Sequence, residues 1–281
     1  MNLSPTIFVS DPADPRLDDF RNLNSSDNRP DMPGGKGLVI GEGPLVVGRL
    51  LASRFPVRAI IGFGAKLAAF LDSTKVPAGI PVYEVTRETL AQVAGFDMHR
   101  GLVASADRAE ALDPACVVAQ SRTVLVLEGV GDHENIGAMF RNAAGMGVDA
   151  VLFGAGCADP LYRRSVRVSM GHVLRLPFAH FGGTPTTWQR ELQLLHNAGF
   201  VSVALTPASG AVHIADAVAG QEKVALVVGA EGPGLTEHAM RAMTVRARIP
   251  MVEGTDSLNV ATAAAIACYE RQRALLYPVQ R

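Results

Sequence analysis

Apolar and polar positions follow two rhythms along this chain, short β-type runs and longer helical ones, and the series starts twice. From "KGLVIGEG" onward, "GLVI" reads as a strand, "PLVVGRLLAS" as a helix, "VRAIIGF" as a strand and "AKLAAFLD" as a helix. "IPVYEV" predicts a further strand, and "TRETLAQVAG" a helix opened by Thr86 with Glu88 in its first turn. "RGLVAS" closes a small α/β unit over residues 34–105, and residues 106–121 read as a connector. The second series begins with the buried-strand pattern "TVLVLEGV", a helix over residues 135–146 and the strand "DAVLFG". Asp159-Pro160 predicts another helix start, and "TTWQRELQLLHNAG" a helix ended by Gly199. "FVSVAL", "KVALVVG" and "VRARIPM" read as strands, and a final helix runs from about Ser257 to Leu276. Strands separated by helices predict mostly parallel sheets, hence two α/β domains, the second over residues 122–281. Residues 1–33, rich in Asp, Pro, Asn and Ser, read as a mobile segment in which Leu17, Phe20 and Leu23 could form one face of a short helix.

Composition narrows the picture. With 281 residues, 48% of them hydrophobic, the chain can bury two real cores. No apolar run approaches the roughly 20 residues that span a bilayer, so no membrane partner is expected. The N-terminal "MNLSPTIFVSDPADPRLDD" lacks the basic and apolar regions of a secretory signal. Cys116, Cys157 and Cys268 are odd in number and far apart, which gives neither a disulfide framework nor a metal cluster and suits a reducing cytoplasm. Net charge is −1, yet arginines bunch in "YRRSVRVSMGHVLR", and a local phosphate-binding patch is compatible with a neutral sum.

Familiar signatures fail. "FGAGCAD" has Asp159 where a dinucleotide fingerprint needs its third glycine, and there is no GxxxxGK[ST], HExxH or GxSxG. Four other segments carry candidate chemistry. "GDHENIGAMFRNAAGMG" sets Arg141 between Gly137 and Gly145, each one helical turn away. Gly137 costs a helix about 1 kcal/mol relative to alanine, which suggests that close approach matters there. Asn135 at the start of that helix either caps it or serves a ligand. In "DPLYRRSVRVSMGH", Arg163, Arg164 and Arg167 form either a solvated face or a phosphate contact. "ALVVGAEGPGLT" runs a strand into a loop with Gly229, Gly232 and Gly234, at the strand end where α/β proteins bind ligands, with Glu231 as its one acid. "IPMVEGTDSLNVATAAAIACYE" places an apolar wall of Ile249, Pro250 and Met251 before a loop and a helix capped by Ser257, with Leu258, Asn259 and Val260 in its first turn.

The order NxGxxxR in "NIGAMFR", GAEGxG in "GAEGPG", then IPM and SLNV in "IPMVEGTDSLNV" resembles the SpoU/TrmH branch of the SPOUT methyltransferases over residues 123 to about 277. Residues 34–105, with "GEG" before a helix and a closing "HRGLVA", resemble the small α/β RNA-binding domain that precedes it in many members. The resemblance implies a C-terminal domain with a trefoil knot, a homodimer with sites formed across its interface, and S-adenosylmethionine as methyl donor. It implies an RNA ribose 2′-hydroxyl as acceptor, with ribosomal RNA ahead of transfer RNA; no metal is expected, since the Cys and His residues are scattered and there is no HExxH. Carried over by motif, Asn135, Arg141, Glu231, Ser257 and Asn259 would form the catalytic constellation. Leu205, Thr206, Gly229, Gly232, Ile249, Met251 and Leu258 would line the cofactor pocket, and Arg163, Arg164 and Arg167 would contact RNA. A non-catalytic RNA-binding or assembly factor on the same fold, or a base methyltransferase, are the alternatives.

Overall fold

Twelve strands gather into two sheets in the computed structural model, which describes residues 5–24, 35–252, 254 and 257–277. Two units separate by their internal contacts: Met1–Glu110 with Leu161–Arg175, and Ala111–Pro160 with Leu176–Arg281.

The first unit holds β1 (Thr6–Phe8), β2 (Val39–Glu42), β3 (Val57–Gly62), β4 (Val82–Glu84) and β5 (Leu102–Ala106), in the order β1-β4-β3-β5-β2. β1, β4 and β3 are parallel, whereas β5 runs antiparallel to both β3 and β2. Helices α1 (Pro44–Leu51), α2 (Gly64–Ser73) and α3 (Arg87–Ala94) match the sequence pattern, α3 being capped by Thr86 and ended by Gly95 in the left-handed region. The segment read as mobile contributes to this core over its described part: β1 pairs with β4, and Leu17 and Phe20 on a 3-10 helix (Pro15–Phe20) and Leu23 in the turn after it are fully buried. Three apolar side chains at helical spacing outweigh the polar composition around them, since each buried one stabilises by roughly 1.5–3 kcal/mol.

The second unit carries β6 (Thr123–Leu127), β7 (Ala150–Phe153), β8 (Phe178–His180), β9 (Phe200–Leu205), β10 (Val212–His213), β11 (Lys223–Val228) and β12 (Val245–Arg248). Their order is β10-β12-β9-β11-β6-β7-β8, parallel throughout. Strands β6 and β11 are buried on both faces, which explains their unbroken runs of Val and Leu. The connector is not structureless: Asp113 caps a short helix, α4 (Pro114–Ala119), on the Pro that follows it. Helix α5 (His133–Gly145) buries Ile136, Met139, Phe140 and Ala143, one helical stripe, and Phe140 packs against the rings of Phe153 and Phe178. No helix begins at Asp159-Pro160; the chain turns there, and α6 (Arg163–Val168) starts after Tyr162 and belongs to the first unit. Helices α7 (Leu192–Asn197), α8 (Ile214–Val218), α9 (Glu237–Ala242) and α10 (Val260–Leu276) complete the chain.

Helix α10 packs on α5 and α8 and is fixed to the sheet by Arg271, which is 1% exposed. Its guanidinium donates to Thr123 Oγ1 (3.1 Å) and to the carbonyls of Gln221 (2.7 Å) and Glu222 (2.8 Å), so a buried cation closes the amino ends of β6 and β11. Among the described residues, no helix is long and apolar enough to cross a membrane.

Candidate active site

β12, β9 and β11 lie side by side, and their carboxyl ends release the three loops that matter. After β11, the turn Gly229–Leu235 folds back on itself: Gly234 N donates to Ala230 O at 3.0 Å. A Cβ on Gly229 would lie 2.2 Å from the carbonyl carbon of Gly234, so only glycine permits this close return. Gly232 (φ +85°) and Gly234 (φ +72°) take the positive angles that let so short a chain reverse. The turn forms one wall of a cleft of about 150 Å³, and Leu205 and Thr206 after β9 form a second. Ile249 and Met251 after β12 and Leu258 before α10 complete it. All seven residues expected to line a cofactor pocket therefore line one cleft, together with Ser257 and Glu231. Pro207, Ala230, Ala247, Val260 and Ala263 line it too and are not among the residues the motifs assign to the pocket. Val260 and Ala263 could have been found, because they share the inward face of α10 with its small residues.

A polar cluster begins at this cleft. The final helix is capped not by Ser257 but by Asn259, whose Oδ1 accepts from Ala261 N (3.0 Å) and Thr262 N (3.2 Å). Because that oxygen faces the helix, the amide nitrogen must face the other way. It donates to Glu231 Oε1 (2.7 Å) and to Asn135 Oδ1 (2.9 Å). Asn135 in turn does not cap α5; Asp132 does, accepting from Glu134 N (2.5 Å) and Asn135 N (3.2 Å). Relieved of capping and with its oxygen engaged, Asn135 keeps its amide N–H groups to donate to an incoming oxygen. Asn135, Glu231 and Asn259, far apart in sequence, thus form one hydrogen-bonded set. Ser257 stands on the cleft wall, exposed, and is not bonded to that set.

Arg141 is outside it. Six residues along α5 carry it about 9 Å and about 120° around the helix from Asn135. It is exposed, with no hydrogen bond or ion pair among the described residues. Gly137 is buried on α5, whereas a Cβ at Gly145 would meet nothing within 4 Å, so packing inside this chain does not demand that glycine.

The arginine cluster divides. Arg163 is committed within the first unit: its guanidinium pairs with Glu42, 5% exposed, and lies 5.2 Å over the Phe96 ring. Glu42 ends β2 in a buried position, where the guanidinium offsets the cost of burying its charge. The head of Arg163, expected to contact RNA, is thereby engaged with Glu42 and Phe96. Arg164 is exposed and Arg167 half-buried, both on α6.

The cysteines offer no reactive thiolate. Burial pushes the Cys157 thiol up to about 11 and that of Cys268 up to about 12, and the Cys116 thiol is raised by its hydrogen bond to the Asp113 carboxylate. Among the described residues no group of His, Cys, Asp and Glu is arranged to hold a metal ion.

Comparison with known proteins agrees with this geometry. The sequence profile described as "SpoU rRNA Methylase family" matches residues 122–269. An uncharacterized tRNA/rRNA methyltransferase of Mycobacterium tuberculosis is 56% identical over 267 residues, 94% of this chain and 91% of that protein. A 23S rRNA (guanosine-2′-O-)-methyltransferase of Bordetella pertussis is 31% identical over 216 residues, covering 74% of this chain and 84% of the relative. Among solved structures, an AdoMet-bound rRNA methyltransferase from Sinorhizobium meliloti superposes with a TM-score of 0.79 at 24% identity, over 96% of this chain and 98% of the other, and so shares its fold. By a profile that spans more than half of its length, and by relatives that cover most of it, the chain belongs to the SpoU rRNA methylase family.

Proposed function

We propose that this protein transfers a methyl group from S-adenosylmethionine to a ribose 2′-hydroxyl of RNA. One observation carries the reading: a single cleft gathers all seven expected cofactor residues, and Glu231 on its wall is tied through Asn259 to Asn135. The cleft suits such a ligand, because the Gly229 turn is closed tightly enough to present backbone while Leu205, Ile249 and Leu258 supply apolar walls. S-adenosylmethionine, when bound, supplies a methyl group already activated on a sulfonium. What the chain must then provide is alignment of the acceptor and stabilisation of the oxygen as its proton leaves. Asn135 donates to that oxygen. Arg141 orients it and stabilises its developing charge; a guanidinium holds its proton in proteins, which passes the abstraction to an RNA phosphate or a water.

Because Arg141 lies off the Asn135 face, the reading includes a homodimer in which Arg141 serves the partner's cleft. The exposed apolar side chains of α10, Tyr269 (53%) and Leu276 (64%), favour such an interface. The trefoil knot of the family belongs to the reading as well. Ribosomal RNA is favoured over transfer RNA by the small α/β unit ahead of the family profile and by the relative named for 23S rRNA. Arg164 and Arg167 are the proposed RNA contacts of α6, with Arg163 holding Glu42 beside them. No metal is required, since the sulfonium carries its own activation, and the protein would act in the cytoplasm, where its substrate is.

The test is direct. Total RNA from cells lacking this gene, treated with the protein and S-adenosylmethionine, should gain a discrete site at which alkali no longer cleaves the adjacent phosphodiester. Methylation confined to transfer RNA would replace the substrate, and an alkali-labile product would move the methyl group to a base. A second prediction arises from Asn259. Asn259→Asp keeps the acceptor that caps α10 but sets a second carboxylate 2.7 Å from Glu231. Like charges so close cost about 1–2 kcal/mol, and methyl transfer should fall at least about tenfold while thermal stability changes by only a few degrees. Asn259→Ala should lose activity and, in addition, about 1 kcal/mol of stability with the cap.

A further inference from the structure

In the sequence, Glu128 is only the tail of the strand pattern "TVLVLEGV". It lies one residue beyond β6, is 4% exposed, and no cation neutralises it among its bonded partners. Its carboxylate accepts four hydrogen bonds from neutral donors. Oε1 takes Trp188 Nε1 (2.6 Å), Thr236 Oγ1 (2.9 Å) and Gln189 Nε2 (3.2 Å), and Oε2 takes Thr236 N (2.8 Å). Its own backbone N–H donates to Val228 O at 2.9 Å.

Those contacts bracket one loop. Val228 is the last residue before the Gly229–Leu235 turn, and Thr236 is the first after it, where its hydroxyl also caps α9 by accepting from Ala239 N (3.2 Å). One residue therefore holds both feet of the turn that forms a wall of the cleft and delivers Glu231 to Asn259. A buried carboxylate satisfied only by dipoles is a poor way to gain stability, because an apolar side chain of the same size would avoid its desolvation. The surroundings are nevertheless shaped around it. A Cβ on Gly154 would lie 2.8 Å from the Trp188 ring, and one on Gly183 would lie 2.9 Å from the Trp188 backbone nitrogen. Gly154 of "FGAGCAD", a segment that fits no dinucleotide fingerprint, makes room for the indole that donates to Glu128.

We infer that Glu128 is a positioning residue for cofactor binding, holding the Gly229–Leu235 turn in its binding shape through Thr236 and through Trp188. This rests on the reading of the cleft as the S-adenosylmethionine site. Glu128→Gln preserves volume but can accept at one end only, so its N–H₂ is forced against either Thr236 N–H or the indole N–H. Trp188 is the only tryptophan of the chain, so its fluorescence reports the network without a label.

The experiment titrates S-adenosylmethionine into the full chain and into Glu128→Gln, by calorimetry and by Trp188 emission, with steady-state rates alongside. The expected result is a dissociation constant at least about tenfold weaker in the variant, a shifted Trp188 emission before any ligand is added, and kcat at saturating cofactor within about threefold. Thr236 is exposed, so Thr236→Val should fold and should show the same loss, whereas Thr236→Ser, which keeps the hydroxyl, should restore affinity. Affinity within twofold of the unaltered chain in either Glu128→Gln or Thr236→Val overturns the inference and leaves the cleft reading standing. Absence of S-adenosylmethionine binding by the unaltered chain overturns the cleft reading, and the inference with it.

Discussion

Arg141→Ala should cripple methyl transfer and leave both the fold and the affinity for S-adenosylmethionine as they were. Each half of that expectation has its own cause. Arg141 is exposed and without a hydrogen bond or ion pair among the described residues, so its truncation should alter stability by no more than about 0.5 kcal/mol. The cleft is lined without it, so calorimetric binding of S-adenosylmethionine should be unchanged. The rate should fall about 10²- to 10³-fold, the loss typical of one preorganised donor at a developing oxyanion. Arg141→Lys keeps the charge and loses the planar fork, and should recover only part of the rate. The proposed homodimer adds a sharper readout. If Arg141 serves the partner's cleft, mixing Arg141→Ala with Asn259→Ala subunits creates hybrids with one complete site, and about a quarter of the unaltered activity should return on random exchange. No return on mixing would place Arg141 in the cleft of its own chain.

Gly229→Ala should have the opposite profile, with binding lost first. The added Cβ would stand 2.2 Å from Gly234 C, 2.3 Å from Leu235 N and 2.4 Å from Gly234 O. All three are backbone atoms, so no side-chain rotation relieves the clash and the turn must open. Overpacking of this kind costs about 1–3 kcal/mol of stability, readable in urea denaturation. Affinity for S-adenosylmethionine should fall at least about a hundredfold, equivalent to about 2.7 kcal/mol. Gly232→Ala is the matched comparison: it has a positive φ but nothing within 4 Å of its Cβ, and should cost about 1 kcal/mol or less. Equal losses at the two positions would mean that backbone strain, and not the return of the chain past Gly229, governs the pocket.

Much of this architecture was legible in the apolar pattern, because long buried runs such as "TVLVL" and "KVALVV" carry their own signal. β1, β8 and β10 were not, since two or three residues cannot display a period of two. The residues proposed to line the cofactor cleft were legible largely through motifs, two of them at strand ends and one at the start of α10. The polar set was legible as residue types but not as a geometry. Ser257 and Asn259 are both good capping residues two positions apart, and what decides between them is a bond to Glu231 and Asn135 from distant parts of the chain. Glu128 gave no sign because its role lies entirely in nonlocal partners, and the fate of Arg163 turned on a carboxylate 121 residues earlier.

That last separation bears on how the protein is made. The first unit is not complete when residue 110 has been synthesised, for it still lacks Leu161–Arg175. Glu42 must wait, its charge hydrated, until a segment encoded within the catalytic stretch supplies Arg163. The five-stranded unit therefore cannot reach its final packing as an independent early product of translation. It closes only after β6, α5 and β7 have left the ribosome, so the order of synthesis is not the order in which the two units are finished.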